Sequence, residues 1–445
     1  MTRPGLTPLD DALADLLAHA QPLMGSETVS TFDADGRVLA QDCVSALQVP
    51  PQDNSSMDGY AVRSAEIADE GVVMPVSQRI AAGSQPQPLA PGSAARIFTG
   101  AQVPRGANAI VMQEDCELVS GQFSTLEAAG EQVVRINRVP APGQWIRRAG
   151  EDVTRGAVVL SKGQRLGPAD IGLAANIGMD KLQVARRPRV ALFSTGDELV
   201  MPGAVPPEQM KPGTIYNSNR FFLRALLQRL GCELTDLGVV PDRRDATIDA
   251  LRGAAREHDL ILTSGGVSVG EEDHIKPAVE TLGRLDFWQI AMKPGKPFAY
   301  GSIARQSNQR DAQDVGTPTP TLPRQPGEGV RGNACHFIGL PGNPVSSFVT
   351  FVLLVRPFVL KLQGATRVAP VGALMTAHFD WRGDRRREFL RVRRNADGGL
   401  DLFPNQSSGV LTSASWADGL VDNPAGRAIA RGDAVRFIPL AELLQ

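Results

Sequence analysis

A loop suited to holding a phosphate and a divalent cation follows an apolar run near the middle of the chain. The run Leu260–Leu262 is typical of a doubly buried parallel strand, and its loop is rich in glycine and acidic residues. Unshielded backbone N–H groups can approach a phosphate, while carboxylates hold a cation. A tight turn before an acidic helix start is the alternative interpretation. The candidate residues are Ser264, Gly265, Gly266, Ser268, Gly270, Glu271, Glu272 and Asp273.

Three more stretches of this kind supply carboxylates, lysines and anion-binding amides. A strand beginning at Arg189 leads into a Thr-Gly-Asp-Glu loop, two lysines surround a Pro-Gly turn, and Pro344 follows a Gly-rich turn in which Asn343 is a good helix N-cap. A proline-rigidified pair of lysines suits an oxyanion such as phosphate. The candidate residues are Thr195, Gly196, Asp197, Glu198, Lys293, Pro294, Lys296, Pro297, Pro341, Gly342 and Asn343.

The elements around these loops predict a parallel sheet. Residues 179 to about 364 alternate strands with helices, including an amphipathic helix over 218–230 with Asn217 as a cap and a more polar one over 245–257. If the strands are neighbours in one parallel sheet, the four loops open on the same edge. Together they would then form one site for an anionic substrate and a metal ion. Asp242 lies just beyond another of these strands, where an acidic residue can also serve as a helix cap.

The regions on either side of the predicted parallel sheet show other secondary-structure patterns. We predict helices from Leu9 to about Ala20 and over 168–177, a β-rich insert from Val49 to about Trp145, a strand over 151–160, and a small C-terminal β barrel or sandwich after about Val368. The Pro- and Gly-rich stretch 304–333 predicts a disordered loop between two strands. Seven arginines between 382 and 394 are read first as a solvated face, and second as a wall that steers an anion.

Composition excludes several classes. The chain has 445 residues, 42% hydrophobic and 21% charged, which is typical of a soluble protein of three or four domains. Lys and Arg total 46 against 48 Asp and Glu, so neither nucleic acid nor a membrane surface is indicated as a partner. The apolar window 345–362 predicts a buried helix rather than a membrane span. The four cysteines lack CxxC spacing and the sequence shows no signal peptide, so we predict reduced thiols in the cytoplasm. The five histidines are scattered, and none is predicted to be a catalytic base.

Several motifs in the same order resemble the MoeA family of molybdenum cofactor biosynthesis, the bacterial relatives of the gephyrin E domain. The resemblance covers nearly the whole chain. One departure is Gln52, where the family usually has an aromatic residue. The motifs that carry the resemblance occupy residues 53–60, 98–100, 194–198, 263–270 with Asp273, 293–297 and 339–344.

The resemblance implies a multidomain α/β plus β fold. Residues 1–45 and 146–178 would form an extended mixed α/β domain, and residues 46–145 an inserted β-rich domain. Residues 179–364 would form a central α/β molybdopterin-binding domain with a mostly parallel sheet, and residues 365–445 a small C-terminal β barrel. Stretch 304–333 would be an insertion specific to this lineage.

The activity that the resemblance implies is molybdopterin molybdenumtransferase, the last step of cofactor assembly. Molybdate would enter the dithiolene of adenylylated molybdopterin with Mg²⁺-dependent release of AMP, in a homodimer whose cleft both subunits line. Contacts with molybdopterin adenylyltransferase and with cofactor-delivery proteins are also implied. The catalytic residues would be Asp58, Thr99, Asp152, Glu198 and Asp242, the metal ligands Asp273, Asp242 and Glu198, and further substrate contacts Asn54 and Ser56.

Other interpretations remain open at this point. Residues 53–60 can be a capped turn and nothing more, given their density of polar side chains. The protein can be a non-catalytic pterin carrier or scaffold, which would not need Asp58, Asp242 or Asp273. It can also be a molybdopterin adenylyltransferase, which would consume ATP. Tungstate can replace molybdate as substrate, because the two oxyanions share charge and nearly share size.

Overall fold

The computed structural model of the chain describes residues 6–119, 132–267, 274–305 and 334–444. Of the predicted loop over 304–333, residues 306–333 lie outside these ranges. Ala304 is the last residue of a strand, and Arg305 follows it. The predicted loop therefore begins one residue too early.

The N-terminal part forms the predicted helix and two short strands. Helix α1 spans Leu9–His19 and buries Leu9, Ala12 and Leu16, so the prediction of an amphipathic helix is confirmed. Strands β1 (Ser26–Ser30) and β2 (Cys43–Val44) follow.

The next part of the chain is β-rich, as predicted. Six of its strands form one sheet in the order β7-β4-β6-β5-β9-β8, and β10 pairs with β3. The strands are β3 (Asn54–Ser55), β4 (Gly59–Val62), β5 (Val72–Ile80), β6 (Ala94–Ile97), β7 (Ala109–Met112), β8 (Cys116–Val119), β9 (Val133–Ile136) and β10 (Ile146–Arg147).

A short mixed segment returns to the N-terminal strands. Strand β11 (Val158–Leu160) pairs with β2, helix α2 spans Pro168–Asn176, and β12 (Lys181–Ala185) pairs with β1. The predicted strand over 151–160 was wrong in extent. Before β11, this region has only an isolated bridge from Val153 to Val49, because turns at 151–152 and 155–156 interrupt the ladder.

The central part of the chain is a six-stranded sheet covered by helices on both faces. Its strand order is β16-β13-β17-β21-β20-β18; the first four strands are parallel, whereas β20 and β18 join by antiparallel pairing. The elements are β13 (Arg189–Thr195), β14 (Leu199–Val200), β15 (Ile215–Tyr216), α3 (Asn219–Arg229), β16 (Glu233–Val240), α4 (Arg244–Glu257), β17 (Leu260–Ser264), α5 (Ile275–Leu282), β18 (Gly283–Gln289), β19 (Met292–Lys293), β20 (Pro297–Ala304), β21 (Ala334–Leu340), α6 (Pro344–Thr350) and α7 (Arg356–Leu362).

Two apolar cores enclose this sheet. One holds Leu16, Leu223 and Val349 from α1, α3 and α6; the other holds Leu251 and Val279 from α4 and α5. The segment Pro344–Leu362, with a π-helical stretch at Phe351–Val355, is long and apolar enough to cross a membrane, but 89% of it is buried. It is therefore the buried core helix that the sequence predicted.

The C-terminal part is a second sheet in the order β19-β23-β25-β26-β22, with β24 paired to β23. An isolated bridge from Ala377 to Leu400 links the segment after β22 to β24. Strand β19 pairs with β23, so this sheet holds the segment that carries Lys293 in place. The elements are β22 (Ala373–Thr376), β23 (Arg387–Arg394), β24 (Leu400–Leu402), α8 (Leu411–Trp416), β25 (Gly419–Asn423), β26 (Ala434–Pro439) and α9 (Leu440–Leu443).

Candidate functional site

A cleft of about 720 Å³ opens at the carboxyl ends of the parallel strands β13, β17 and β21. This is the edge at which open α/β sheets bind ligands. The structure therefore brings together most of the predicted loop residues. Those that line the cleft are Thr195, Gly196, Glu198, Asp242, Ser264, Gly265, Gly266, Pro297, Pro341, Gly342 and Asn343.

Two glycines at the end of β17 are required by their surroundings. Gly265 and Gly266 have φ values of +92° and +67°, which side chains rarely tolerate. A Cβ on Gly265 would lie 2.9 Å from the carbonyl oxygen of Thr195, and one on Gly266 would lie 2.6 Å from Ile275 Cγ1. The turn can therefore pack tightly against β13 while its backbone faces the cleft.

Asn219 fastens two of these loops together. Its Nδ2 donates hydrogen bonds to Ser264 Oγ at 2.8 Å and to the carbonyl oxygen of Gly342 at 2.7 Å. The neighbouring Asn217 accepts a hydrogen bond from the backbone N–H of Arg220, as the predicted cap requires, although Ser218 is the N-cap residue. By contrast, Asn343 holds the N-cap position of α6 but makes no side-chain capping bond.

Two of the three predicted metal ligands face the cleft. Glu198 and Asp242 line it, whereas Asp273 lies outside the described residues together with Ser268 and Gly270. Within the described ranges, no group of three His, Cys, Asp or Glu side chains could hold a metal ion by itself. Mg²⁺ commonly uses one or two carboxylates with water and substrate phosphates, so the two carboxylates fit such an ion. Asp197 is exposed and does not line the cleft.

A smaller pocket of about 380 Å³ adjoins the cleft and shares Pro297, Asn343 and Ser346 with it. Lys293, Pro294 and Lys296 line this pocket as the sequence predicted, but they reach it differently. Their loop follows β18, which runs in the same direction as the parallel strands but is separated from β21 by the antiparallel strand β20. The start of an antiparallel strand lies at the same edge as the ends of its parallel neighbours, which explains why the lysines still meet the cleft.

The C-terminal part of the chain completes this pocket with one residue of the predicted arginine cluster and three residues that the sequence analysis did not select. Arg386, Gln406, Ser407 and Ser408 line its other side. The seven arginines were read first as a solvated face, but only part of the cluster fits. Arg391 is 1% exposed, Arg387 pairs with Asp10 and Asp422, and Arg386 faces the pocket. Arg386 belongs to the arginine cluster whose second interpretation was a wall that steers an anion, and the pairing of β23 with β19 brings it to the pocket.

Two carboxylates lie next to the ammonium group of Lys293. Its Nζ donates to Asp384 Oδ2 at 3.1 Å and lies 3.4 Å from Glu388 Oε1. The second contact is an ion pair by distance only, since Glu388 Oε1 receives no hydrogen bond. Lys296 is exposed at the rim of the pocket.

A second cluster lies in the β-rich part of the chain. Asp58 Oδ1 accepts hydrogen bonds from the backbone N–H and the hydroxyl of Thr99, and these bonds lower the pKa of Asp58. The hydroxyl proton of Thr99 is thus directed to Asp58. Ser56 donates its backbone N–H and its hydroxyl to the carbonyl oxygen of Trp145, a residue with φ of +56°. Asn54 Oδ1 is buried without a hydrogen-bond partner in the described residues.

Among the described residues, the cleft and the Asp58 cluster have no lining residue in common. None of the described residues that line the cleft or the adjoining pocket comes from residues 46–145. Asp152 is exposed and lines neither. Asp53, which directly precedes Asn54, accepts hydrogen bonds from Arg148 Nη1 at 2.7 Å and from the backbone N–H of Ala149.

The chain matches three family models along its length. Residues 7–178 match "MoeA N-terminal region (domain I and II)", residues 191–361 match "Probable molybdopterin binding domain", and residues 375–440 match "MoeA C-terminal region (domain IV)". The first match ends before β12, the second begins within β13, and the third begins within β22.

Similar whole proteins carry the same family name. A molybdopterin molybdenumtransferase of Haemophilus influenzae is 38% identical over 357 residues, which is 80% of this chain and 78% of that protein. One from Nostoc is 33% identical over 98% of this chain and 94% of that protein. A crystal structure of the molybdopterin biosynthesis moeA protein from Pyrococcus horikoshii superposes with a TM-score of 0.77 at 27% identity, covering 98% of this chain and 100% of that one.

Proposed function

The chain belongs to the MoeA family, and we propose that it is a molybdopterin molybdenumtransferase that inserts molybdate into adenylylated molybdopterin and releases AMP. The observation that carries this proposal is the junction of two sites. A cleft with glycine turns and two carboxylates adjoins a pocket with Lys293, Lys296 and Arg386. A phosphorylated pterin and a tetrahedral oxyanion need such neighbouring sites.

In this proposal the glycine turns bind the substrate. Backbone N–H groups of Gly266 and Gly342 would receive the pyrophosphate, since no side chain shields them, whereas the N–H of Gly265 already donates to the carbonyl oxygen of Leu340. Asn219 fixes the spacing of the two turns through its bonds to Ser264 and Gly342. Such positioning holds the scissile bond in one geometry.

Glu198 and Asp242 would hold Mg²⁺ in the cleft, with Asp273 as the third carboxylate. When bound, the ion would neutralise charge on the pyrophosphate. Which of these carboxylates also acts catalytically depends on the position of the leaving AMP. The adjoining pocket would place the oxyanion next to the pterin.

Asp58 and Thr99 would complete the site from a second subunit. They lie in the β-rich part of the chain, and no described residue of that part lines the cleft. We therefore propose a homodimer in which Asp58, Thr99 and Asp152 of one subunit face the cleft of the other. Asn54 and Ser56 would shape that loop.

The domain boundaries are part of this proposal. We place them at 1–45 with 146–178, 46–145, 179–364 and 365–445, with a barrel as the last unit. The bridge from Ala377 to Leu400 supports closure of that barrel. We also propose a cytoplasmic location, which the four free cysteines support.

The decisive experiment measures AMP release from adenylylated molybdopterin with and without molybdate and Mg²⁺. Asp242→Ala, Asp273→Ala and Asp58→Ala should lose release that depends on both ions. Asp397→Asn, at an exposed turn, is the control and should keep it. Release that is unchanged in Asp58→Ala would contradict the assignment.

Two other functions make different predictions for the same assay. A carrier or scaffold would bind the pterin tightly without releasing AMP, and carboxylate substitutions would leave it working. An adenylyltransferase would consume ATP and form the adenylylated pterin. Tungstate in place of molybdate tests the choice of oxyanion.

A further inference from the structure

The oxyanion pocket contains cations that already have anionic partners. Lys293, Lys296 and Arg386 line it. Asp384 contacts two of these three: Oδ2 lies 3.1 Å from Lys293 Nζ, and Oδ1 accepts from the backbone N–H and Nε of Arg386 at 3.1 and 3.4 Å. The carboxylate thus uses donors that an oxyanion would use.

Asp384 is ionised over the whole physiological range. Burial alone would raise the pKa of Asp384, but hydrogen bonds from the Arg386 N–H and from Lys293 outweigh it and lower the pKa to about 2. The Asp384 side chain is 22% exposed, so its charge is only partly screened by water.

Glu388 adds a second fixed negative charge. It is 1% exposed, its Oε2 accepts from Trp381 Nε1 at 2.7 Å, and its Oε1 lies 3.4 Å from Lys293 Nζ. Three cationic side chains against two carboxylates leave the pocket with a small net positive charge.

We propose that Asp384 is a resident counter-anion that lowers the affinity of this pocket for oxyanions. The inference rests on the proposed function of the pocket. An incoming dianion must share Lys293 and Arg386 with Asp384, and the like charges repel. The pocket consequently exchanges its oxyanion instead of retaining any tetrahedral dianion, sulfate included.

The test is calorimetric titration of the full chain with sodium molybdate, and separately with sodium sulfate, at constant ionic strength. Asp384→Asn preserves the size of the side chain and removes its charge. We expect the dissociation constants of both anions to fall about tenfold or more. Glu388→Gln keeps an acceptor for Trp381 and should shift them in the same direction.

Asp422→Asn is the matched control. Asp422 is another carboxylate of the C-terminal sheet, but it pairs with Arg387 and Arg436, neither of which lines the pocket. Its replacement should leave both dissociation constants unchanged. If the dissociation constants fall equally in Asp422→Asn, then removing any negative charge from the sheet strengthens binding, and the inference is overturned.

Unchanged or weaker binding by folded Asp384→Asn would also overturn it, because the carboxylate would then orient the cations instead of competing with the anion. If that variant does not fold, Glu388→Gln decides by the same criterion. AMP release by wild type is measured in parallel. If wild type releases AMP but the variants have unchanged dissociation constants, this inference alone is refuted. If no protein binds molybdate, the assignment of the pocket to the oxyanion is refuted as well.

Discussion

Asp58 Oδ1 accepts two hydrogen bonds from one residue, Thr99: one from its backbone N–H at 2.7 Å and one from its hydroxyl at 2.8 Å. Asp58 directly precedes β4 and Thr99 lies two residues after β6, and these strands are antiparallel neighbours with Gly59 opposite Ile97. Strand pairing therefore sets this contact. The bonds favour the ionised carboxylate, so they hold the pKa of Asp58 below its ordinary value.

We expect Thr99→Val to raise the pKa of Asp58, because the substitution removes the hydroxyl bond. If Asp58 acts in its ionised form, the acidic limb of the pH–rate profile for AMP release moves to higher pH. Thr99→Ser keeps the hydroxyl and should leave the limb in place. A limb that stays fixed in Thr99→Val would mean that another group controls it.

The proposed shared cleft predicts complementation between inactive variants. Asp58→Ala and Asp242→Ala should each be inactive, yet after subunit exchange a mixed dimer would hold one intact site. Random exchange would restore about a quarter of wild-type AMP release. Unmixed samples treated identically are the control. Sites formed within one chain would give no recovery.

Asn219→Ala should weaken substrate binding and stability together. It leaves buried Ser264 Oγ and the Gly342 carbonyl without this donor, at a cost of about 1–3 kcal/mol in the free energy of unfolding. The two turns would also lose their fixed spacing, so KM for the adenylylated pterin should rise. Gln228→Ala, exposed on the same helix, is the control for kinetics and urea unfolding. Unchanged KM would show that the turns keep their spacing without Asn219.

Stability should depend on pH through His336. Burial, together with nearby His19, lowers the pKa of His336 to about 4, and the Tyr300 hydroxyl lies 2.9 Å from its Nδ1. Between about pH 6.5 and 4 the unfolded chain binds a proton that the folded chain does not, so stability falls as pH falls. The residue should account for about 3 kcal/mol over this window. Urea unfolding of wild type and His336→Gln across the window measures the difference, and identical pH slopes would contradict the assignment.

Asp259→Asn should destabilise the protein without changing its chemistry. Asp259 is 2% exposed and is paired with Arg186 at 2.7 Å and Arg305 at 3.2 Å. Removing the charge from such a pair costs about 3–5 kcal/mol. The residue precedes β17, whereas Ser264 ends it about 17 Å away, so kcat per folded molecule should stay constant. Thermal unfolding and kcat are the measurements, and a lower kcat per folded molecule would refute this separation.

Local patterns in the sequence determined the elements of the central fold. The spacing of Leu223, Leu226 and Leu227 predicted the buried face of α3, and the apolar run at Leu260 predicted the doubly covered strand β17. The same local information failed at residues 151–157, where apolar residues lie in a region of turns. Periodicity reports which face of a segment can be buried, not whether a pairing partner is available.

The sequence by itself also determined which loops could do chemistry, because glycine turns, carboxylates and paired lysines are local features. Tertiary structure alone decided which of them meet. Asn219 joins Ser264 to Gly342, and Arg386 reaches the pocket of Lys293 from 93 residues further along the chain. Those contacts follow from strand order and from the pairing of β19 with β23. Non-local pairing is fixed by the burial of whole faces, so single positions along the chain carry no mark of it.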